Sequence, residues 1–381
     1  MNIDILASTV PMVGLRLGAS LIFLVAFVAL LLGTGVCQSV RRRRRAGQRV
    51  LMLGTKPLAR WIIEEIDRRR DLGWAIVGVV EDVDKLALAL DATRPDRIIV
   101  GLPAGVRLPF ALLLEARARG IHVEGAVETF ERLTGKLALE ALPAGSVVYS
   151  DDFQPRRRQL VLTRMLSLTL AALGLLVCLP VLAVIALAIR LDSRGPVFFV
   201  QERVGRRGRT FRLIKFRTMH PVKENHSEWE RDNSERITRL GRWLRRCRLD
   251  ELPQLINVLS GEMNLVGPRP HPVTNLKALT HAARGLHEQA IPYYSLRCAV
   301  PPGITGWAQV RYRYANSLEE EMEKVRYDLY YVKHMSFWLD IYILFETVRA
   351  VIAGHGICAP RAATAIPAPD VPAAEERLEA A

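Results

Sequence analysis

Two long apolar runs divide the chain. Leu17–Cys37 is 21 residues without a charge. As a helix it is about 31 Å long, enough to cross a hydrocarbon core. Arg41–Arg45 follows at once, so the positive-inside rule puts that end in the cytoplasm. The charge comes after the run rather than before it, which argues for an anchor over a signal peptide. Met165–Ile189 is a second run, 25 residues without a charge. It is basic on both flanks, with Arg156, Arg157, Arg158 and Arg164 before it and Arg190 and Arg194 after it. Pro180 lies inside it, and an interior proline removes a donor and kinks a helix. A helix that enters a membrane, bends near Leu179-Pro180 and returns satisfies both observations. A plain spanning helix that tolerates its proline is the alternative.

Between these runs, strand and helix patterns alternate. Arg49–Leu53, Trp74–Val80, Arg97–Gly101 and Ile121–Val123 read as short buried strands. Leu58–Arg69, Asp84–Leu90 and Pro109–Arg119 read as the helices between them. Such a series predicts a parallel sheet of nucleotide-fold type. The G-x-G-x-x-G fingerprint is absent, since Gly54 is followed by Thr55 and Lys56. A sheet used for packing or regulation is the expectation, rather than a dinucleotide site. Farther on, Ser336–Ile352 is apolar and aromatic but carries Asp340 and Glu346, which suits core or a membrane interface better than a span. The last twenty residues are rich in Ala, Pro and Glu, the composition of a disordered tail.

Composition narrows the partners. The 381 residues are 50% hydrophobic and 24% charged, with mean hydropathy +0.13. That excludes a disordered chain and suits a folded protein with membrane-buried segments. Lys and Arg number 53 against 39 Asp and Glu, a net charge of +14. An anionic partner follows: nucleic acid, a lipid surface or a phosphorylated substrate. The five cysteines are scattered and none has CxxC spacing, so neither a zinc site nor a disulfide framework is indicated.

The charge concentrates after residue 200. Gln201–Asp250 holds fifteen Lys or Arg and seven Asp or Glu. These cations are spread among Gly205 and Gly208, which suits a phosphate-bearing ligand. Nucleic acid is disfavoured because the region follows a membrane segment and contains no recognisable nucleic-acid module. Within Arg245-Arg-Cys-Arg-Leu-Asp-Glu-Leu-Pro-Gln254, Pro253 suits the first turn of a helix that would run Pro253–Ser260 and stop at Gly261. Asp250 and Glu251 then precede a helix N-terminus, where the dipole and nearby arginines keep acids ionised. An ionised carboxylate can attack phosphorus or hold a metal. An N-terminal charge pair on an ordinary helix is the competing explanation. Asn264-Leu-Val-Gly-Pro-Arg-Pro270 sets Arg269 between two prolines. Pro301-Pro-Gly-Ile-Thr-Gly-Trp-Ala-Gln-Val310 reads as a turn leading into a strand-like end.

Five motifs, in order and spacing, resemble the bacterial sugar transferases, membrane-bound phosphoglycosyltransferases of the monotopic type. They are Gly195-Pro-Val-Phe-Phe-Val-Gln-Glu-Arg-Val-Gly205, Lys215-Phe-Arg-Thr-Met219, Leu249-Asp-Glu-Leu-Pro-Gln-Leu255, Leu265-Val-Gly-Pro-Arg-Pro270 and Pro302-Gly-Ile-Thr-Gly-Trp-Ala-Gln309. The resemblance covers about residues 156–355. Tyr327-Asp-Leu-Tyr-Tyr-Val-Lys-His-Met335 is similar to the subgroup tied to exosortase-associated exopolysaccharide clusters.

The resemblance implies transfer of a sugar-1-phosphate from a UDP-sugar to undecaprenyl phosphate, with release of UMP, as the first step of exopolysaccharide synthesis. It places the nucleophile on Asp250 and a partner of Mg²⁺ or of the proton balance on Glu251, the two forming the metal site. Lys215, Arg217, Arg245 and Arg269 fall on phosphate-binding positions, and Pro180 on the bend of a re-entrant helix. Two departures stand out: Leu179 replaces the serine usual before the bend proline, and Ser167 replaces an acid often found early in that helix. A non-catalytic membrane scaffold or regulator of polysaccharide assembly is the other function compatible with such a fold. The implied partners are a UDP-sugar, undecaprenyl phosphate, the lipid bilayer and other assembly proteins, with no nucleic acid. The implied setting is the bacterial inner membrane, catalytic domain on the cytoplasmic face.

The expected fold class is an α/β membrane protein. A transmembrane anchor and basic stop occupies 1–45, and a Rossmann-like parallel α/β domain occupies 46–150. A catalytic monotopic phosphoglycosyltransferase domain covers 156–358, with its re-entrant helix at 160–190. A disordered tail fills 359–381.

Overall fold

A computed structural model describes residues 47–54, 57–103, 105–141, 149–220, 235–273, 293–312 and 318–352. The anchor expected over Leu17–Cys37, its basic stop and the tail over 359–381 lie outside the described residues. Two compact units divide between Thr134 and Gly135.

The first unit is a parallel sheet with helices, as the alternating pattern predicts. Its strands are β1 (Gln48–Leu53), β2 (Trp74–Val80), β3 (Arg97–Val100) and β4 (His122–Gly125), ordered β2-β1-β3-β4. Helices α1 (Leu58–Arg68), α2 (Leu86–Thr93), α3 (Phe110–Ala118) and α4 (Ala126–Thr134) complete it. Leu51, Leu53, Leu86 and Ile98 form its apolar centre, fully buried. The chain order reverses between β1 and β3, the place where open α/β sheets take ligands. There, Gly54 sits at φ +107°, and a Cβ on it would lie 2.2 Å from the Gly101 carbonyl oxygen. Backbone thus meets backbone at the switch point.

The second unit opens earlier than the sequence boundary at 150 implies. Leu137, Leu139 and Phe153 pack with Trp307, Val325 and Tyr331 in its main core. The Trp307 indole N–H donates to the Gly135 carbonyl at 2.8 Å, which ties this entering segment down.

Helix α5 (Arg157–Asp192) carries the apolar run and passes through Pro180 as one helical element. Among the described residues it alone is long and apolar enough to cross a membrane. Near its start, Thr163 donates to Asp340 at 2.7 Å, and Arg164 donates to the Met263 and Val258 carbonyls at 2.8 Å each. Ser167 accepts from the Leu265 N–H at 3.1 Å, giving the residue at that atypical position a structural use. Near its end, Ile185 and Ile189 pack on Phe216 and Leu244. Thr163 and Ile189 are about 39 Å apart along a straight helix axis, yet both rest on the same unit. In between, Leu176, Val177 and Val184 are about two-thirds exposed.

Strands β5 (Phe198–Val204) and β6 (Thr210–Phe216) form an antiparallel hairpin after α5. Helices α6 (Arg239–Arg246) and α7 (Gln254–Ser260) follow, and Gly261 ends α7 at φ +95°, as the sequence predicts. Strand β7 (Asn264–Val266) pairs in parallel with β8 (Gly303–Thr305). The strand-like end expected before Val310 is instead a short helix, α8 (Trp307–Arg311). Helices α9 (Leu318–His334) and α10 (Phe337–Ile352) complete the unit. Helix α10 is two-sided: Ile343 is fully buried, and Trp338 is 68% exposed.

Candidate active site

Asp250 and Glu251 lie on a single 3-10 turn, Leu249–Glu251, immediately before α7. Arg248 enters that turn in the left-handed region at φ +58°, a strained conformation for a residue with a Cβ. Both acids are buried, at 7% and 8% exposure. Burying two adjacent carboxylates is expensive unless cations compensate, and the compensation is unequal. Glu251 Oε1 accepts from Arg269 at 2.8 Å and from Arg248 at 3.1 Å. Asp250 Oδ1 is buried without a hydrogen-bond partner among the described residues.

The unequal surroundings push the two carboxyls apart. Burial alone would raise Glu251, but Arg269 and Arg248 more than reverse it and hold the group below the usual carboxylate range. For Asp250, burial and the Glu251 charge outweigh the pull of Lys215, Arg245 and Arg248, and the carboxyl is raised. The arginines thus dominate at Glu251, while burial and the neighbouring charge dominate at Asp250. Adjacent carboxyls driven in opposite directions are a frequent mark of acid–base or nucleophilic work.

Lys215 comes from β6 and feels the same pair. Burial, then the nearby Arg203 and Arg269, lower its ammonium to about 8, with Asp250 opposing. Asn257 on α7 ties the strand to the helix. It accepts from the Ile214 N–H at 3.1 Å and donates to the Arg212 carbonyl at 2.8 Å. Arg245, near the end of α6, donates from Nε to the Thr218 hydroxyl at 2.9 Å. Lys215, Arg245 and Arg269, three of the positions marked by the resemblance, therefore gather around the acidic pair.

Arg217 does not join them. It is 6% exposed and donates to the carbonyls of Ser193 (2.7 Å), Arg194 (3.0 Å) and Ile189 (3.4 Å), and to the Ser193 hydroxyl (3.0 Å). Its partners are carbonyls at and just beyond the C-terminal end of α5, of which Ile189 also accepts the Ser193 N–H. Strand β6 stops at Phe216, so the alternation that would align Arg217 with Lys215 stops too. In place of the phosphate contact the resemblance implies, Arg217 binds the backbone where the chain leaves α5. Pro180 lies far along α5, among its exposed apolar residues.

Several buried polar residues escaped sequence reading. Arg297 lies on the 3-10 segment Tyr294–Ala299, and its Nη2 donates to Asp328 Oδ2 and to the Arg269 carbonyl. His271 is buried and held well below the normal histidine range, at about 3, by burial first and by Arg297 second. Asp340 accepts from Thr163 and from the Tyr331 hydroxyl, both at 2.7 Å, and joins α5 to α9 and α10. A small cleft lies against Arg269, lined by Gly205, Pro268, His271, Tyr294, Arg297 and Cys298 among others.

Among the described residues, no three acids, histidines or cysteines cluster as a cation site. The acidic pair still fits a magnesium ion, which keeps several waters and commonly takes one or two carboxylates plus substrate phosphates. Asp250 and Glu251 are the residues that would hold it.

The unit thus combines an acid pair on a turn, surrounding cations and a helix long and apolar enough to cross a membrane. Comparison with known sequences gives the family. Residues 158–354 match the model described as "Bacterial sugar transferase", and the chain belongs to that family. It is 37% identical over 236 residues to a UDP-N-acetylgalactosamine-undecaprenyl-phosphate N-acetylgalactosaminephosphotransferase of Aeromonas hydrophila, covering 62% of this chain and 52% of that one. It is 34% identical over 368 residues to a UDP-glucose:undecaprenyl-phosphate glucose-1-phosphate transferase of Xanthomonas campestris pv. campestris, covering 89% and 73%. An uncharacterized sugar transferase of Bacillus subtilis is 42% identical over 199 residues, covering 52% and 91%. The chain thus spans about half the length of the Aeromonas relative.

Proposed function

We propose that the protein transfers a sugar-1-phosphate from a UDP-sugar to undecaprenyl phosphate and so initiates exopolysaccharide synthesis at the cytoplasmic face of the bacterial inner membrane. The observation that carries this reading is the partnerless carboxylate oxygen of Asp250 beside a Glu251 already bonded to two arginines. One acid is left open to react, and the other is held as a charge. Relatives with these names, acting on different sugars, support the reaction class and leave the sugar open.

In the first half-reaction an Asp250 oxygen attacks the β-phosphorus of the donor, and the bond from that phosphorus to UMP breaks. UMP leaves, and the sugar phosphate is held on the carboxylate. In the second half an oxygen of undecaprenyl phosphate attacks the same phosphorus, the aspartyl bond breaks, and the lipid diphosphate sugar forms. Positioning and charge neutralisation dominate such a transfer. Lys215, Arg245 and Arg269 receive the diphosphate oxygens. Magnesium, held by Asp250 and Glu251, supplies further charge neutralisation when bound. An ionised Asp250 is the reactive form, and Lys215, Arg245 and Arg248 favour it against burial and the Glu251 charge.

Both ends of α5 rest on the catalytic unit while its middle exposes apolar side chains. That supports a helix which dips into the bilayer around Pro180 and returns, and keeps the acidic pair at the surface where a lipid phosphate meets a soluble donor.

The test is UMP release by detergent-purified protein with undecaprenyl phosphate, Mg²⁺ and a panel of UDP-sugars. Release that requires lipid and metal and disappears in Asp250→Asn supports the reading. Binding of a UDP-sugar without turnover would favour the scaffold.

A further inference from the structure

Behind Arg269 lies a buried polar network that no part of the transfer uses directly. Arg297 is 4% exposed, and all three of its guanidinium nitrogens are engaged. Nη2 donates to the Arg269 carbonyl at 2.8 Å and to Asp328 Oδ2 at 2.7 Å. Nε donates to the same carboxylate oxygen at 3.1 Å. Nη1 donates to the Tyr294 hydroxyl at 2.8 Å and faces His271 Nδ1 at 2.8 Å. On the other side of the ring, Nε2 lies 3.2 Å from Glu321 Oε2 and 3.4 Å from Arg297 Nη1. Asp328, on α9, is 1% exposed. A planar fork thus holds three segments at once: the Tyr294–Ala299 turn, helix α9 and the Pro268-Arg269-Pro270 strap.

The strap is the one that matters for chemistry. Prolines on both sides restrict its backbone, so a grip on the Arg269 carbonyl orients the whole residue. At the other end of that residue, the guanidinium donates to Glu251 at 2.8 Å. A network serving packing alone has no need to end on the carbonyl of a residue that contacts the acidic pair.

We propose that Arg297, braced by Asp328, is a positioning residue: by holding the Arg269 carbonyl it aims the Arg269 guanidinium at Glu251 and at the donor diphosphate. The second part of that aim rests on the transferase reading; the first does not. Lysine at 297 would keep the charge but lose the fork that reaches carbonyl, carboxylate and hydroxyl together.

Two measurements on the full-length protein in detergent test this. The first needs no turnover. Arg269→Ala, Glu251→Gln and the pair are melted in the wild-type and in the Arg297→Lys background. The melting-temperature coupling between Arg269 and Glu251 is expected in the first background and lost in the second. Coupling of equal size in both overturns the proposal. The second measurement is kinetic, with UDP-glucose or whichever donor turns over. Arg297→Lys is expected to lower kcat/KM roughly 100-fold, the order seen for displaced positioning groups, and to add nothing to Arg269→Ala. Losses that multiply overturn it. If Arg297→Lys does not fold, Tyr294→Phe, which removes one bond to the guanidinium, takes its place in both measurements with a smaller loss. A wild-type protein inactive with every donor contradicts the transferase reading, and the melting cycle still decides for or against the positioning role.

Discussion

In the N-terminal unit, Leu51, Met52, Ile98 and Ile99 are completely buried, and the buried polar residues among those described are Arg97, Thr129 and Glu131. In the C-terminal unit, Asp250, Glu251, His271, Arg297, Asp328 and Asp340 are all buried within one body. Apolar burial is inexpensive and builds stability. Buried charge is costly even when paired. The first unit therefore folds on a sheet with few polar obligations. The second maintains buried ion pairs, and beside them Asp250 Oδ1 is buried without a hydrogen-bond partner among the described residues. Removing a core side chain should damage the first unit most, and removing a charge should damage the chemistry of the second.

The largest expected effect follows from that contrast. Asp250→Asn should lower turnover at least about 10⁴-fold, the scale for loss of a nucleophile. Its melting temperature should hold or rise, because a raised carboxyl beside a like charge is relieved. A stability loss matching the activity loss would erase the distinction between the units. Ile98→Ala is the counterpart in the sheet. It should cost about 2–5 kcal/mol in denaturant unfolding of the N-terminal unit, with UMP release per folded molecule unchanged.

Arg217→Met sharpens the contrast inside the second unit. It uncovers carbonyls at the end of α5 and should cost about 1–3 kcal/mol of stability, with donor KM within roughly twofold of wild type, a surface-like effect on binding. A large rise in KM would restore Arg217 to the phosphate site. The smallest effect is a pH limb. Lys215 is a cation below its pKa of about 8 and loses that charge as pH rises through it. Activity should fall on the alkaline side near that value, and Lys215→Arg, which stays charged, should move the limb upward.

Much of this was legible in the sequence for physical reasons. Short apolar runs between polar helices specify a parallel sheet, and all four strands lie where those runs are. Pro253 and Gly261 bracket α7 because one suits a first turn and the other a left-handed cap. Lys215, Arg245 and Arg269 were marked by the resemblance rather than by local pattern, and they stand near the acidic pair, where buried carboxylates need cations. Arg217 was assigned by the resemblance alone, and nothing in its local sequence shows that it turns to the carbonyls around the end of α5. Helix α8 was missed because five residues are too few to show a helical period. Arg297 and Asp328 are distant partners, 31 residues apart. The one local signal was an aspartate set in the apolar, aromatic run Tyr327-Asp-Leu-Tyr-Tyr-Val332. An acid in such company is either exposed at a loss of packing or paired out of sight.

The central claim is that Asp250 carries the sugar phosphate, and intact-protein mass spectrometry tests it most directly. The purified protein is mixed with Mg²⁺ and the active UDP-sugar, with no undecaprenyl phosphate present. The account predicts one equivalent of UMP and a protein heavier by one sugar phosphate, with the added mass on the peptide bearing Asp250 and discharged when the lipid phosphate is added. An unmodified protein that turns over only when both substrates are present would contradict it, because transfer would then pass directly from donor to lipid.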